Sequence, residues 1–309
     1  MSYKVLLYDK NQYSSDFCQL HFEDVKIEQA DMFRKDVPYR ILQILRNFSC
    51  FSCRFALDDW YTKREEYDCF IVPDASFNKK ILKIMSTFNQ SKPVILYYRN
   101  RIRERDVSNI RYAKMHGFLV VTYSKLDAEM YDLSFVPQFW NPIFSSCDGI
   151  DVDDDVYFIG EAKNRYSEIV SLKEKCDELN LKSNFQIISS NPLPYTQVER
   201  VDYYEVLNHI QKSKALVDIV TKDNWGLTIR PLEALMSKKK LITNFTDIKN
   251  YDFYMDNVDN IFIIGENSWD NLVSFIKSPF VEGSGTVYNY DSLSWIKKMM
   301  MLVKSKSAK

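Results

Sequence analysis

Arg230 and Glu233 stand three residues apart, just after a Gly226-Leu227-Thr228 turn, in the stretch GLTIRPLEALMSKKKLITN over 226–244. An arginine presents a planar fork of N–H donors that matches phosphate geometry. A glutamate is acceptor only and suits a diol, such as the 2′,3′-pair of a ribose. Pro231 fits a first helical turn, where its missing N–H would have had no partner. Ile229, Leu232, Leu235 and Met236 make an apolar stripe, as a helix packed on a sheet requires. A helix starting between 228 and 231 would leave the amides of about residues 227–230 open to an anion. Phosphate donors and a ribose acceptor on one helix describe a nucleoside diphosphate. Without its neighbours, the same pair reads as an exposed i,i+3 ion pair, worth little.

The neighbouring loops favour the ligand reading. Gly160 ends the strand-like VYFIG, where backbone can approach a ligand closely, and Arg165 follows it. Thr243 and Asn244 end LITN and offer short polar groups to sugar hydroxyls or phosphates.

These residues need a scaffold that brings strand ends together. Strand-length apolar runs at 3–9, 69–75, 92–98 and 117–124 alternate with helical patterns at 39–48 and 78–88. The polar, acidic segment 144–156 interrupts the alternation, which then restarts. Strands are expected at 156–160, 184–189, 215–220, 240–244 and 260–265. Helices are expected at 166–180, 203–213, 268–278 and 291–304, with a short one in the 226–244 stretch. Such alternation predicts α/β architecture with parallel sheets. The expected division is 1–147, 156–290 and a final helix, 291–309, packing back on the first domain and ending in a flexible tail. Two doubly wound, Rossmann-like domains facing a central cleft would bind ligand beyond the carboxyl ends of their strands.

Bulk composition sets limits. The chain has 309 residues, is 46% hydrophobic and 27% charged, and carries a net charge of −1, which argues against nucleic acid as a partner. Six cysteines are scattered, with a single CxxC at Cys50 and Cys53 and no second ligand pair for zinc. The expectation is reduced thiols, no metal and no cofactor. No leader and no apolar run of spanning length is visible, so a cytoplasmic protein is expected. The Asp-x-Asp pairs of DVDDDV (151–156) precede a strand, which suits a solvated linker better than a metal site. His21, His116 and His209 show no ligand spacing. The basic segment 97–114 and the terminal WIKKMMMLVKSKSAK are compatible with anionic headgroups. A solvated helix and a packed helix are the simpler readings. Neither GxGxxG nor GxxxxGK[ST] occurs, against dehydrogenase and P-loop classes.

Four blocks together resemble bacterial glycosyltransferases of cell-surface polysaccharide assembly (lipopolysaccharide, O-antigen, capsule), which have the two-Rossmann GT-B fold. They are VVTYSKLDAEMYDLSFVPQFW (120–140), VYFIGEAKNRY (156–166), GLTIRPLEALMSKKKLITN (226–244) and IKNYDFY (248–254). The third is similar to the family's most specific block, GLT-x-R-x-x-EAL before a lysine-rich strand. The resemblance spans roughly 120–265. It implies metal-independent transfer of a sugar, of hexosyl type, from a nucleotide-diphosphate donor. The acceptor would be a growing glycan or lipid-linked carrier, with a peripheral contact at the cytoplasmic face of the inner membrane as an option. Gly160, Arg165, Asn224, Gly226, Leu227, Thr228, Arg230, Glu233, Thr243 and Asn244 would bind the donor, Glu233 through the ribose. Arg230 would also stabilise the leaving diphosphate. Asn224 stands where the family often has glutamine, and Pro231 where a small polar residue is more usual. A base for an inverting reaction would come from the first domain, where Asp9 and Asp74 both follow apolar strands. A non-catalytic assembly or nucleotide-binding protein that keeps the fold is the alternative.

Overall fold

The computed structural model describes residues 3–8, 24–38, 54–74, 79–88, 92–142, 151–197, 199, 201–223 and 226–307. The chain forms two compact units. One takes the residues up to Pro137 and the last helix from Ser292; the other is Gln138–Asp291.

In the first unit six parallel strands lie in the order β2-β1-β3-β4-β5-β6. They are β1 (Tyr3–Tyr8), β2 (Val25–Ala30), β3 (Cys69–Pro73), β4 (Val94–Tyr98), β5 (Leu119–Thr122) and β6 (Ser134–Phe135). CFIVP and VILYY are buried from end to end, as strands covered on both faces must be. Helix α1 (Lys79–Phe88) turns Ile81, Leu82, Ile84 and Met85 inward, the spacing expected of one helical face. The basic segment supplies α2 (Val107–Met115), which buries Ile110 and Ala113. Helix α3 (Lys125–Tyr131) is capped by Ser124, whose hydroxyl accepts the Asp127 amide at 3.0 Å.

The second unit repeats the design with β12-β11-β10-β7-β8-β9, again all parallel. Its strands are β7 (Asp154–Glu161), β8 (Ser183–Ile188), β9 (Thr196–Gln197), β10 (Ser213–Asp218), β11 (Lys240–Thr243) and β12 (Ile261–Ile263). Its helices are α4 (Tyr166–Glu178), α5 (Tyr203–Gln211), α6 (Arg230–Met236), α7 (Phe253–Asp256) and α8 (Leu272–Lys277). The last helix, α9 (Ser292–Ser307), belongs to the first unit. There the buried Trp295 lies edge-on to Tyr97 at 5.1 Å, and Lys306 bonds the Gly117 carbonyl.

Several readings shift. The expected helix at 39–48 lies outside the described residues. The chain passes from one unit to the other at Pro137/Gln138, ahead of the polar segment, of which 143–150 are outside the described residues. The acids after it are pinned. Asp155 accepts Lys214 Nζ at 2.7 Å and the Lys182 amide at 3.0 Å, and Asp153 pairs with Lys212 at 3.2 Å. Two of these acids, Asp154 and Asp155, open β7 itself. Strands β2, β6 and β9 were not read from sequence, because VKIEQA and the two-residue edges are only half-buried and lack a continuous apolar run. Among the described residues, no helix is long and apolar enough to cross a membrane, and no cluster of three or more metal-ligating side chains occurs.

Candidate anion-binding site

In the second unit the chain builds outward from β7 through β8 to β9, then returns to add β10, β11 and β12 on the other side. The reversal falls between β7 and β10, and at such a point the two neighbouring crossovers part and leave a crevice beyond the carboxyl ends. Two arginines sit there. Arg165 leads from β7 into α4, and its Nη1 donates to the carbonyl of Ile219, just past β10. Arg230 opens α6 after β10, and its Nη2 donates to the carbonyl of Ile159 in β7 at 3.5 Å. Each crossover thus fastens its guanidinium to the other strand.

Gly160 makes room for this. A Cβ there would lie 2.9 Å from Arg165 Nη2 and 3.1 Å from Phe158 Cζ. Arg165 Nε also donates to the Glu161 carbonyl at 3.2 Å, and its guanidinium lies over the Phe158 ring at 5.9 Å. Burial lowers the Arg165 pKa, the positive charge of Arg230 adds to that, and the Asp218 carboxylate opposes it. An arginine stays protonated regardless. Two cations share a half-buried space, which favours a bound anion.

Asp218 ends β10 and is 5% exposed. Its carboxylate accepts Thr228 Oγ1 at 2.9 Å. Burial raises its pKa, against the pull of that bond and of the two arginines. Thr228, predicted as a ligand contact, is thereby tied to the floor of the site. The Leu227 amide, expected to be open to an anion, donates instead to Tyr251 Oη at 3.1 Å. Helix α6 spans Arg230–Met236, seven residues. Its dipole is correspondingly small, and the positive character of the site comes from side chains.

Glu233 differs most from expectation. It is 1% exposed, so its carboxylate does not face outward toward a diol. Oε1 accepts Tyr203 Oη at 2.7 Å, and Oε2 lies 2.9 Å from Arg230 Nη1. That ion pair lacks good hydrogen-bond alignment. The reason for the burial is local: every residue of α6 after Arg230 is buried, so the helix has no exposed face to offer Glu233.

Thr243 turns inward, its buried hydroxyl accepting the Phe245 amide at 3.0 Å. Asn244 is half-buried: it clasps the Val220 backbone through both side-chain atoms, at 2.7 and 3.1 Å, and borders a cavity. Gly226 is buried beside Leu227. Asn224 lies outside the described residues. Lys238, Lys239 and Lys240 stand at the far end of α6. They bind Glu282, the Gln211 carbonyl, and the Asp259 carbonyl with Ser278 Oγ, respectively. On the α4 side of the sheet a cavity of about 480 Å³ is lined by Glu168, Leu172, Lys175, Ile219, Asn244 and Trp269 among others; neither arginine lines it.

In the first unit the reversal lies between β1 and β3. Asp74 follows β3, and its Oδ2 accepts the Asn100 amide at 3.0 Å and Asn100 Nδ2 at 2.9 Å. Asp9 lies outside the described residues. Sequence reading missed Asp218, Tyr203 and Tyr251. Asp218 alone carried a signal, as an acid within the otherwise apolar ALVDIV.

No protein-family model matches the chain, and no curated protein matches it. Solved structures do. HepE from Anabaena, in complex with UDP, aligns at 10% identity over 98% of this chain and 100% of its own, with a TM-score of 0.50. AviGT4, a glycosyltransferase involved in avilamycin A biosynthesis, aligns at 9% identity over 99% and 97%, TM-score 0.46. The Streptomyces sp. SF2575 glycosyltransferase SsfS6 aligns at 8% identity over 99% and 96%, TM-score 0.37. At these identities the likeness is one of fold: α/β, with two doubly wound, Rossmann-like parallel sheets of GT-B type.

Proposed function

We propose that the protein is a glycosyltransferase of hexosyl type that takes its sugar from a nucleoside diphosphate. The observation that carries this reading is the pair Arg165 and Arg230, fastened across the β7/β10 reversal by carbonyls of the opposite strands. Arg230 holds Ile159 only loosely at 3.5 Å, so an incoming phosphate can replace that contact with a shorter, charge-assisted one.

In the reaction an acceptor hydroxyl gives up its proton, its oxygen bonds to the anomeric carbon, and the bond from that carbon to the diphosphate oxygen breaks. The departing diphosphate gains negative charge, and guanidinium groups already in place stabilise it. They make a metal unnecessary. Glu233 enters as the carboxylate that holds Arg230. Asp74 and Asp9 are the candidate bases, with Asp74 oriented by Asn100. The acceptor is a growing cell-surface glycan or its lipid-linked precursor, met at the cytoplasmic face of the membrane. HepE shares the fold and was crystallised with UDP, which makes UDP-sugars the first donors to assay. Transfer or donor hydrolysis across a nucleotide-sugar panel tests the proposal. Turnover with one donor supports it, whereas binding without turnover gives a nucleotide-binding assembly protein, and neither binding nor turnover removes the assignment.

A further inference from the structure

A buried carboxylate needs a partner for each oxygen. Arg230 alone does not satisfy Glu233, because Nη1 meets only Oε2, at 2.9 Å. The other oxygen depends on Tyr203, the first residue of α5, whose Oη lies 2.7 Å away. The phenol donates to that oxygen. Tyr203 Oη in turn accepts the indole Nε1–H of Trp140 at 2.8 Å. Trp140 is 3% exposed, and its backbone amide donates to the Tyr290 carbonyl at 3.0 Å. The line Trp140, Tyr203, Glu233, Arg230 runs in one donor direction to the carboxylate and ends on the guanidinium. It joins the segment where the chain enters the second unit to the arginine beyond β7.

We propose that Tyr203, steadied by Trp140, is a positioning residue that sets the aim of Arg230 toward a diphosphate. The inference rests on the nucleotide reading above. With the phenol in place, one carboxylate oxygen is occupied and Glu233 meets Arg230 through the other alone, which leaves Nη2 directed at the Ile159 carbonyl at the β7 end. Without the phenol, Oε1 is unsatisfied in a buried place. The carboxylate then turns both oxygens to the guanidinium, because a bidentate pair is the nearest remedy. That turns Nη2 away from the crevice and neutralises more of its charge.

The test is calorimetric titration of the full chain with UDP and, separately, with uridine, which lacks the phosphates. Tyr203→Phe is expected to weaken UDP about tenfold, the loss of one charge-assisted contact, and to leave uridine unchanged. Trp140→Phe should act in the same direction by about threefold, since it removes one link further back, and it serves if Tyr203→Phe does not fold. Arg230→Gln should weaken UDP strongly, and adding Tyr203→Phe to it should cost nothing more, because the relay then ends on no charge. Equal weakening of UDP and uridine, unaltered UDP affinity in both aromatic variants, or additive losses in the double variant would overturn the positioning role. If Arg230→Gln itself leaves UDP binding intact, the nucleotide reading fails and takes the relay with it. A loss confined to Arg230→Gln overturns the relay alone.

Discussion

The same topology is furnished in opposite ways in the two units. Each sheet reverses once, between β1 and β3 in the first and between β7 and β10 in the second, and each reversal opens a crevice beyond the strand ends. In the second unit two guanidinium groups stand there, each fastened to a carbonyl of the opposite strand. In the first, the strand β3 runs into a carboxylate, Asp74, held by two donors of Asn100. Backbone topology fixes where chemistry can sit, and the residues at the strand ends decide its sign. One reversal carries two guanidinium groups and the other a carboxylate.

That contrast is open to attack at several strengths. The largest expected effect is on Asp74→Asn, which keeps the shape of the side chain but removes the base. Turnover should fall by about 10²–10⁴-fold while UDP affinity stays within twofold. A loss of UDP affinity would place Asp74 on the anion side and collapse the distinction, and unchanged turnover would pass the role of base to Asp9. Arg230→Lys should lower kcat by roughly 10²-fold, because an ammonium cannot reproduce the fork that contacts Ile159 and Glu233 together. Unchanged turnover there would remove Arg230 from the site.

Gly160→Ala probes the seat of Arg165 rather than its charge. The added Cβ would stand 2.9 Å from Nη2. The far end of a flexible side chain can move, so stability should drop by only about 1 kcal/mol. UDP affinity should fall about tenfold, as expected when one charge-assisted contact is lost. Denaturant unfolding and titration of the same preparation separate the two effects.

The smallest effects concern pH, and here the units again differ in sign. Burial pushes the Glu28 carboxyl up, but hydrogen bonds from Lys26 and Tyr67 and the charge of Lys4 outweigh it and hold it down, at about 2 against an ordinary 4.5. A depressed acid stabilises the fold above its unfolded value, and that contribution is lost as pH falls from about 4.5 through about 2. Glu28→Gln should flatten the acid limb of the first unit by no more than about 1 kcal/mol, given its solvent exposure. Asp218 runs the other way. Burial raises its pKa, so its contribution is greatest in acid and declines as pH rises through its folded value. Asp218→Asn, which can still accept from Thr228, should therefore become relatively more stable than the parent on the alkaline side. Stability curves from pH 3 to 9, read by unfolding, show whether the two variants diverge in opposite directions.

The architecture was legible where burial is two-sided. Strands such as CFIVP and VILYY announce themselves as unbroken apolar runs, and the helices between them as periodic ones. The half-buried edges, VKIEQA above all, carry no such run and passed unread. Of the candidate site, Gly160 and Arg165 stand out as residues at a strand end, Arg230 and Glu233 as a charged pair, and Thr228 through the family resemblance. Their roles were less legible. Nothing local to GLTIRPLEALM says that Glu233 points inward to Tyr203, a residue 30 positions away, or that Thr228 is claimed by Asp218. The three successive lysines stand at the far end of the helix, where they bind backbone carbonyls and side-chain oxygens. Short-range pattern shows which residues are unusual, and long-range packing decides what they touch.

Diphosphate binding by the two arginines at the β7/β10 reversal is tested by the affinity of UDP for the parent and for Arg165→Gln/Arg230→Gln, measured by calorimetry at low and at moderate salt. The parent should bind UDP far more tightly than uridine, and more weakly as salt rises, and the double variant should bind UDP no better than uridine. A double variant that keeps the parent's affinity and salt dependence would contradict this.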